Sequence, residues 1–371
     1  MRILELLASP VWSGPAEPMV SVSAELRRRG HHLELAVDTR RRGDLLVRLQ
    51  QLGWTPRPGL ALSTKSSPWT MAKDVSRLRA LSADFDVWHA NFSHDHFLSL
   101  LASRGRGVRV VRTVHSSRSL RARPFQGLGH RLVDGVIAIC EAHARILRER
   151  FHVPRERVKA IRGAVDADFF VPEGANLRAE LQISPDAPVA GIVARIKPDR
   201  RHQELIEAFA QVAPELPDAR LLLIGRGEGR PSLEAQVARL GLSRQILFAG
   251  YRTGGELAAA YRTLDVKVLL AEGNDGTCRA LLEAMACGKP AVSYRFGAAA
   301  ETIVPGETGL LVEEGKVAAL GKAIADVLRS PQRAKQWGQA GRARILELYR
   351  PAQRADAVEE FFRTVLRLPR A

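Results

Sequence analysis

A chain of 371 residues, 46% apolar and 26% charged, is too long for one hydrophobic core and too apolar for disorder, so two folded domains are expected. No run of 18 apolar residues occurs, which excludes a membrane-spanning helix. Cys140, Cys278 and Cys287 are odd in number and in no metal-ligand spacing, which argues against a disulfide scaffold and fits a reducing cytoplasm.

Strand and helix patterns alternate along the chain. The opening run, residues 3–8, carries an acid inside a short apolar stretch and reads as a buried first strand, not a signal peptide. A Ser/Gly/Pro-rich loop follows over 9–18, then a helix over 19–29, with Pro18 near its start and Gly30 after its last turn. Strands are expected at 32–37, 86–90, 108–114 and 135–139, with helices from about Asp95 and after Glu141. Residues 164–176 break the periodicity, contain Pro172 and Gly174, and read as a linker. The alternation then restarts, with strands at 189–194, 220–224, 246–249, 266–270 and 290–294. The helices between them cover 202–212, 233–240, 256–263 and 280–286. A turn at 301–309 enters a last short strand, and helices fill the rest. Alternating β and α elements argue for parallel sheets covered on both faces. Two doubly wound domains in tandem would set the carboxyl ends of both sheets around one cleft, where open α/β sheets bind ligands.

The net charge of +16 is uneven. Residues 1–168 hold 28 Lys+Arg against 16 Asp+Glu, a net of +12. Between His96 and Val133 there is no acid but there are eight arginines, among them Arg104, Arg118, Arg121, Arg123 and Arg131. Such a face attracts anionic lipid, acidic glycolipid or nucleic acid; a solvated basic face is the plainer reading.

The most specific stretch runs Asp275-Gly276-Thr277-Cys278-Arg279-Ala280-Leu281-Leu282-Glu283-Ala284-Met285-Ala286-Cys287-Gly288-Lys289-Pro290. Two acids stand eight positions apart across a glycine turn that opens a helix, and Gly-Lys-Pro closes that helix. A helix N-terminus presents unpaired N–H groups and a positive dipole end to an anion. An ionised carboxylate inside the helix accepts hydrogen bonds from sugar hydroxyls. Phosphate and hydroxyls side by side point to a nucleotide sugar.

With Ala194-Arg195-Ile196-Lys197-Pro198-Asp199-Arg200, Leu223-Ile224-Gly225-Arg226-Gly227, Phe248-Ala249-Gly250-Tyr251 and Gly306-Glu307-Thr308-Gly309-Leu310-Leu311-Val312, in this order, residues 160–320 resemble the family 4 retaining glycosyltransferases of the GT-B fold. Residues 162–172 resemble that family's interdomain stretch, and residues 1–150 match in layout only. The resemblance implies two Rossmann-like doubly wound parallel-sheet domains facing a central cleft. It makes residues 1–165 the acceptor-binding domain, with a C-terminal helix at about 350–371 packing back on it, and 173–348 the donor domain.

In that family a basic pair after the first strand of the second domain binds the donor diphosphate, and Arg195 and Arg200 occupy those places. Arg200 stands where lysine is usual, a planar fork in place of a point charge. Glu283 matches the acid that binds the ribose. Asp275 stands where the family carries Glu for the sugar hydroxyls. The backbone of Gly276, Thr277, Cys278 and Arg279 would approach sugar and phosphate, with Gly225 and Tyr251 in the neighbouring donor-binding loops. His115, at a strand end, matches the active-site histidine that contacts the donor sugar near the reacting carbon. Gly14 stands near the usual glycine pair, although its surroundings, Ser13-Gly14-Pro15, depart from the pattern. His115, Asp275 and Glu283 are thus the expected catalytic set, and Arg118, Arg121 and Arg123 the expected acceptor or membrane patch.

Other motifs carry less. Asp166-Ala167-Asp168 is a DxD that lies in the interdomain stretch, where metal ligands are not expected to converge. His89, His94, Asp95 and His96 cluster in sequence, but i, i+2 histidines do not share a helix face, so a loop or acceptor-pocket role is preferred to a metal site. Gly225-x-Gly227-x-Gly229 lacks the dinucleotide spacing.

The expectation is a metal-independent, retaining glycosyltransferase without cofactor. It would move a sugar from a nucleotide-diphosphate donor to a cell-envelope glycan or glycolipid of lipopolysaccharide, capsule or exopolysaccharide type. It would act in the cytoplasm or peripherally on the inner membrane, with no nucleic acid as partner. A non-catalytic GT-B scaffold, another GT-B enzyme such as a sugar-nucleotide epimerase or phosphorylase, and a basic nucleic-acid-binding module are the alternatives. Aromatics are only 6%, few for base stacking.

Overall fold

A computed structural model describes residues 1–12, 14–63, 67–121, 126–272 and 278–371. Asp275, Gly276, Thr277 and Arg123 lie outside the described residues. The chain divides into two compact units. One comprises Met1–Gly163 and Pro351–Ala371, the other Ala164–Glu272 and Cys278–Arg350.

The first unit runs β1 (Arg2–Leu7), α1 (Ala16–Arg28), β2 (His32–Val37), α2 (Leu45–Gln51), α3 (Pro68–Leu81), β3 (Val87–Ala90), α4 (Ser93–Ser103), β4 (Arg109–Val114), α5 (Gln126–Arg131), β5 (Gly135–Ala138), α6 (Glu141–Glu149) and β6 (Val158–Ala160). Its sheet is parallel with order β2-β1-β3-β4-β5-β6. The side-chain period of two splits β1 between two cores. Leu4 and Leu6 join Trp88 and Val110 on one face. Ile3 and Leu7 join Leu35, Met19 and Phe362 on the other.

The second unit runs β7 (Val189–Val193), α7 (His202–Val212), β8 (Arg220–Ile224), α8 (Arg230–Arg239), β9 (Ile246–Gly250), α9 (Gly254–Thr263), β10 (Val266–Leu269), α10 (Arg279–Ala286), β11 (Ala291–Tyr294), α11 (Gly297–Thr302), β12 (Gly309–Val312), α12 (Val317–Leu328) and α13 (Pro331–Leu348). The parallel order is β12-β11-β10-β7-β8-β9. The last helix, α14 (Pro351–Arg367), belongs to the first unit, where it packs on α1. Strands β3, β5, β10 and β11 are buried along their whole length, as parallel strands with helices on both faces must be.

Two doubly wound parallel sheets were expected and two are found. Helices α2 and α3 were not anticipated. Ser67 accepts a hydrogen bond from Thr70 N and Pro68 opens α3, a start signal that the sequence carried.

Strand order decides where ligands go. The chain leaves β7 toward β8 on one side and returns to β10 on the other, so helices diverge and a crevice opens at the carboxyl ends of β7 and β10. In the first unit the same reversal falls between β1 and β3. Among the described residues no helix is long and apolar enough to cross a membrane.

Candidate active site

The loop after β7 carries Arg195, which is exposed, and Arg200, whose side chain is 11% exposed and donates to the carbonyl of Glu272 after β10. Both switch-point loops of this unit are therefore joined through Arg200. The loop after β8 lies directly against the loop after β7, with Ile196 N donating to Arg226 O at 3.0 Å. That approach requires glycine. A Cβ on Gly225, whose φ is +150°, would stand 2.0 Å from Ala194 O, and one on Gly227 would stand 2.1 Å from Ile196 O. Just past β9, Tyr251 is 56% exposed, with the Arg226 guanidinium 4.4 Å from its ring centroid.

Helix α10 starts at Arg279, and Cys278 before it takes the left-handed conformation, φ +56°, with its side chain buried. A non-glycine residue there stores backbone strain at a helix N-terminus. One turn further, Glu283 is 4% exposed. Tyr261 Oη on α9 donates to Glu283 Oε2 at 2.6 Å, and Arg279 Nε lies 3.1 Å from Oε1. Burial, and then the adjacent carboxylate, holds the Tyr261 phenol well above its ordinary pKa, so it remains the donor. The neighbouring strand contributes Lys267, fully buried, its Nζ without a hydrogen-bond partner among the described residues. Burial pushes this amine down to about 7, against the pull of Glu283. His202 at the start of α7 is lowered to about 4 by burial and then by Lys267 and Arg200.

In the first unit Gly14 sits in the turn before α1, and His115 follows the last residue of β4 and is 6% exposed. The parallel register puts Glu5 opposite His89, and a buried polar chain grows from that pair. Glu5 Oε1 is 2.8 Å from His89 Nδ1, and His89 Nε2 is 2.7 Å from Thr113 Oγ1. Asn91 Nδ2 donates to Glu5 Oε2 and to Leu6 O, both at 3.1 Å, and Asn91 Oδ1 faces His115 Nε2 at 3.0 Å.

The histidine cluster of the sequence is thereby divided. His89 belongs to this chain of groups, while Asp95 accepts from Ala8 N, Phe92 N and His96 N. His96 Nδ1 lies 2.8 Å from Nη1 of Arg112. The basic run is divided too. Arg112 is buried and Arg109 pairs with Asp134 at 2.9 Å, whereas Arg104, Arg106, Arg118, Arg121 and Arg131 are exposed. In the DxD, Asp166 Oδ1 accepts from Asp168 N and Phe169 N, and Asp168 pairs with Arg350. Among the described residues no three His, Cys, Asp or Glu side chains are grouped to hold a metal ion, and the three cysteines are buried.

Sequence reasoning did not single out Glu5, Asn91, Tyr261 or Lys267. Two of these had a signal, a charged residue at the centre of an apolar strand pattern, Leu4-Glu5-Leu6 and Val266-Lys267-Val268. The other two are defined by partners distant in sequence.

Two family models match the chain, Glycosyltransferase Family 4 over residues 14–169 and Glycosyl transferases group 1 over residues 174–344. A GDP-mannose-dependent alpha-(1-6)-phosphatidylinositol monomannoside mannosyltransferase of Mycolicibacterium smegmatis is 28% identical over 284 residues, 72% of this chain and 74% of the relative. A D-inositol 3-phosphate glycosyltransferase of Thermobispora bispora is 29% identical over 317 residues, 76% and 73% of the two chains. Anabaena HepE, solved in complex with UDP, superposes with a TM-score of 0.84 at 21% identity, covering 98% of this chain and 100% of that one. The lipopolysaccharide outer core galactosyltransferase WaaB gives 0.78 at 15% identity, covering 98% and 99%. These likenesses establish the fold. With one glycosyltransferase model on each half and the two-sheet architecture beneath them, the chain is a glycosyltransferase of the GT-B type.

Proposed function

We propose that the protein is a retaining, metal-independent glycosyltransferase that moves a sugar from a nucleoside-diphosphate donor to a hydroxyl of a cell-envelope glycan or glycolipid. The observation that carries the donor half is Glu283, a buried carboxylate held by the Tyr261 hydroxyl one turn into α10, beside the crevice between β7 and β10. It is read as the acceptor of the ribose hydroxyls, with Arg195 and Arg200 on the diphosphate and Tyr251 beside the base. The N-terminal N–H groups of α10 add a dipole of the right sign for phosphate. A leaving nucleoside diphosphate needs fixed positive charge, and two guanidiniums with a helix N-terminus supply it without a metal ion.

In the reaction the glycosidic C–O bond to phosphate breaks and the bond from the acceptor oxygen to the anomeric carbon forms on the same face. The acceptor proton passes to the departing phosphate oxygen. Asp275, Gly276 and Thr277, with Cys278 and Arg279, complete the proposed sugar and phosphate contacts. His115 is assigned to a sugar hydroxyl, and Gly14 to the loop that closes the same region of the first unit.

The first unit is assigned to the acceptor, in residues 1–165 with the C-terminal helix, and residues 173–348 to the donor. Its exposed Arg104, Arg118, Arg121 and Arg131, with the exposed apolar side chains of Phe97, Leu101, Leu128 and Leu132, suit an anionic glycolipid or the cytoplasmic face of the inner membrane. Relatives whose names specify phosphatidylinositol mannoside and lipopolysaccharide core lend the same support.

The test is a thermal-shift panel with UDP, GDP, ADP, CMP and TDP and a nucleic-acid oligomer. Ligand that binds only the folded state raises the melting temperature by mass action. One nucleoside diphosphate is expected to stabilise the wild type and to lose its effect in Glu283→Ala and Arg195→Ala. A response to the oligomer alone would overturn the reading in favour of a nucleic-acid-binding module.

A further inference from the structure

We infer that Asn91 is a positioning residue that locks His115 as the Nε2–H tautomer and leaves its Nδ1 as a buried acceptor kept for a hydroxyl of the substrate. The inference rests on the transferase reading only in calling that hydroxyl a sugar's.

Proton bookkeeping along the buried chain gives the assignment. Asn91 Nδ2 lies 3.1 Å from Glu5 Oε2 and 3.1 Å from Leu6 O. The Leu6 carbonyl is an acceptor only, so the amide N must face it and Oδ1 must face His115. A carbonyl oxygen cannot donate. The contact at 3.0 Å between Asn91 Oδ1 and His115 Nε2 therefore requires hydrogen on Nε2. Neutral imidazole carries one N–H, which leaves Nδ1 with its lone pair.

The neutral state is the favoured one. Burial, and then the charges of Arg354, His89 and Arg112, hold His115 well below its ordinary pKa. These are the titratable groups that face the ring from α14, β3 and β4. The cavity that His115 lines is also bounded by Glu5, Met19, Val22, Thr113 and Val358.

Among the described residues Nδ1 has no hydrogen-bond partner, although His115 is only 6% exposed. A buried acceptor left unmade costs stability unless a water or a ligand completes it. A hydroxyl can donate there; an acceptor-only group cannot. Asn91 is itself fixed from behind. The pair Glu5–His89, braced by Thr113 Oγ1, holds the carboxylate that takes the Asn91 amide. Five side chains from β1, β3, β4 and the loops after them thus set one lone pair.

The test has two readouts. Long-range 1H–15N spectra of protein carrying 15N-histidine, with His115→Gln for assignment, report which ring nitrogen is protonated. The wild type is expected to show Nε2 protonated and Nδ1 bare from pH 6 to 8, and Asn91→Leu to show a mixture of tautomers. A proton on wild-type Nδ1, or an unchanged tautomer in Asn91→Leu, would overturn the proposal. The wild-type spectrum decides even if the variant fails to fold.

The second readout compares binding of UDP-glucose and GDP-mannose with UDP and GDP. Asn91→Leu is expected to lower affinity for the sugar-bearing ligand about tenfold and to leave the bare diphosphate unchanged. Equal losses for both would point to a structural role and count against the assignment. If no nucleotide binds the wild type, the donor reading fails while the tautomer result still judges Asn91.

Discussion

Replacing Lys267 by methionine should make the second unit more stable at neutral pH. The side chains are close in length, so the change removes a charge and leaves the packing in place. Lys267 is fully buried in the centre of β10, and its amine falls from an ordinary 10.5 to about 7. Between those values the unfolded chain binds a proton that the folded one has shed. Stability of the wild type therefore rises with pH across that window, by roughly 1.36 kcal/mol per pH unit, and is lowest at and below pH 7. Lys267→Met lacks this linkage. Its gain should be about 4 kcal/mol at pH 7 and shrink to about 1 kcal/mol at pH 9.5.

Because two units need not unfold together, the assay must watch the second one. Trp337 is that unit's single tryptophan and packs against its core, so the 19F resonance of fluorotryptophan at 337 in urea reports the right transition. Equal stability of wild type and variant at pH 7, or a wild-type transition flat in pH, would refute the argument and mean that the ammonium is paired in the folded protein.

Tyr261→Phe should weaken binding of the nucleoside diphosphate about tenfold by calorimetry, since it removes a hydrogen bond to a buried carboxylate; unchanged affinity would mean that Glu283 is oriented from elsewhere. Gly338→Ala should destabilise the second unit by about 3 kcal/mol in the same urea assay, because a Cβ there would stand 1.9 Å from Gly288 O, backbone that cannot yield like a side chain. Arg118→Glu with Arg121→Glu should abolish sedimentation with vesicles containing anionic lipid while leaving nucleotide affinity intact, and unchanged sedimentation would reduce the patch to a solvated face.

The β/α alternation was legible because each strand is a short apolar run bounded by turn residues. Residues 32–37, 202–212 and 220–224 coincide with β2, α7 and β8 end to end. Helix α3 was missed because only Asp74 and Leu78 are buried along it, too thin a stripe to show a helical period. Strand β6 is three residues with Lys159 exposed, below what a period of two can reveal. For the candidate site, motifs in sequence order singled out Glu283, Arg195 and Arg200. Their supports were not visible. Tyr261 reaches Glu283 across 22 positions, and Asn91 reaches His115 across 24, distances that only sheet register and helix packing close.

Helix α14 has a consequence for how the protein is made. Phe361, Phe362 and Val365 sit in the same core as Ile3 and Leu7, and a Cβ on Gly135 would stand 2.6 Å from Val365. A ribosome therefore delivers the first strand of the first unit early and a wall of that unit's core only after the whole second unit has been translated. During that interval the part of the sheet face that α14 covers, at β4 and Gly135 of β5, waits uncovered. The second unit, by contrast, is contiguous apart from its loops and can close as it emerges. The half of the enzyme that begins first must finish last, and chaperone binding to nascent chains should fall off only once α14 has cleared the exit tunnel.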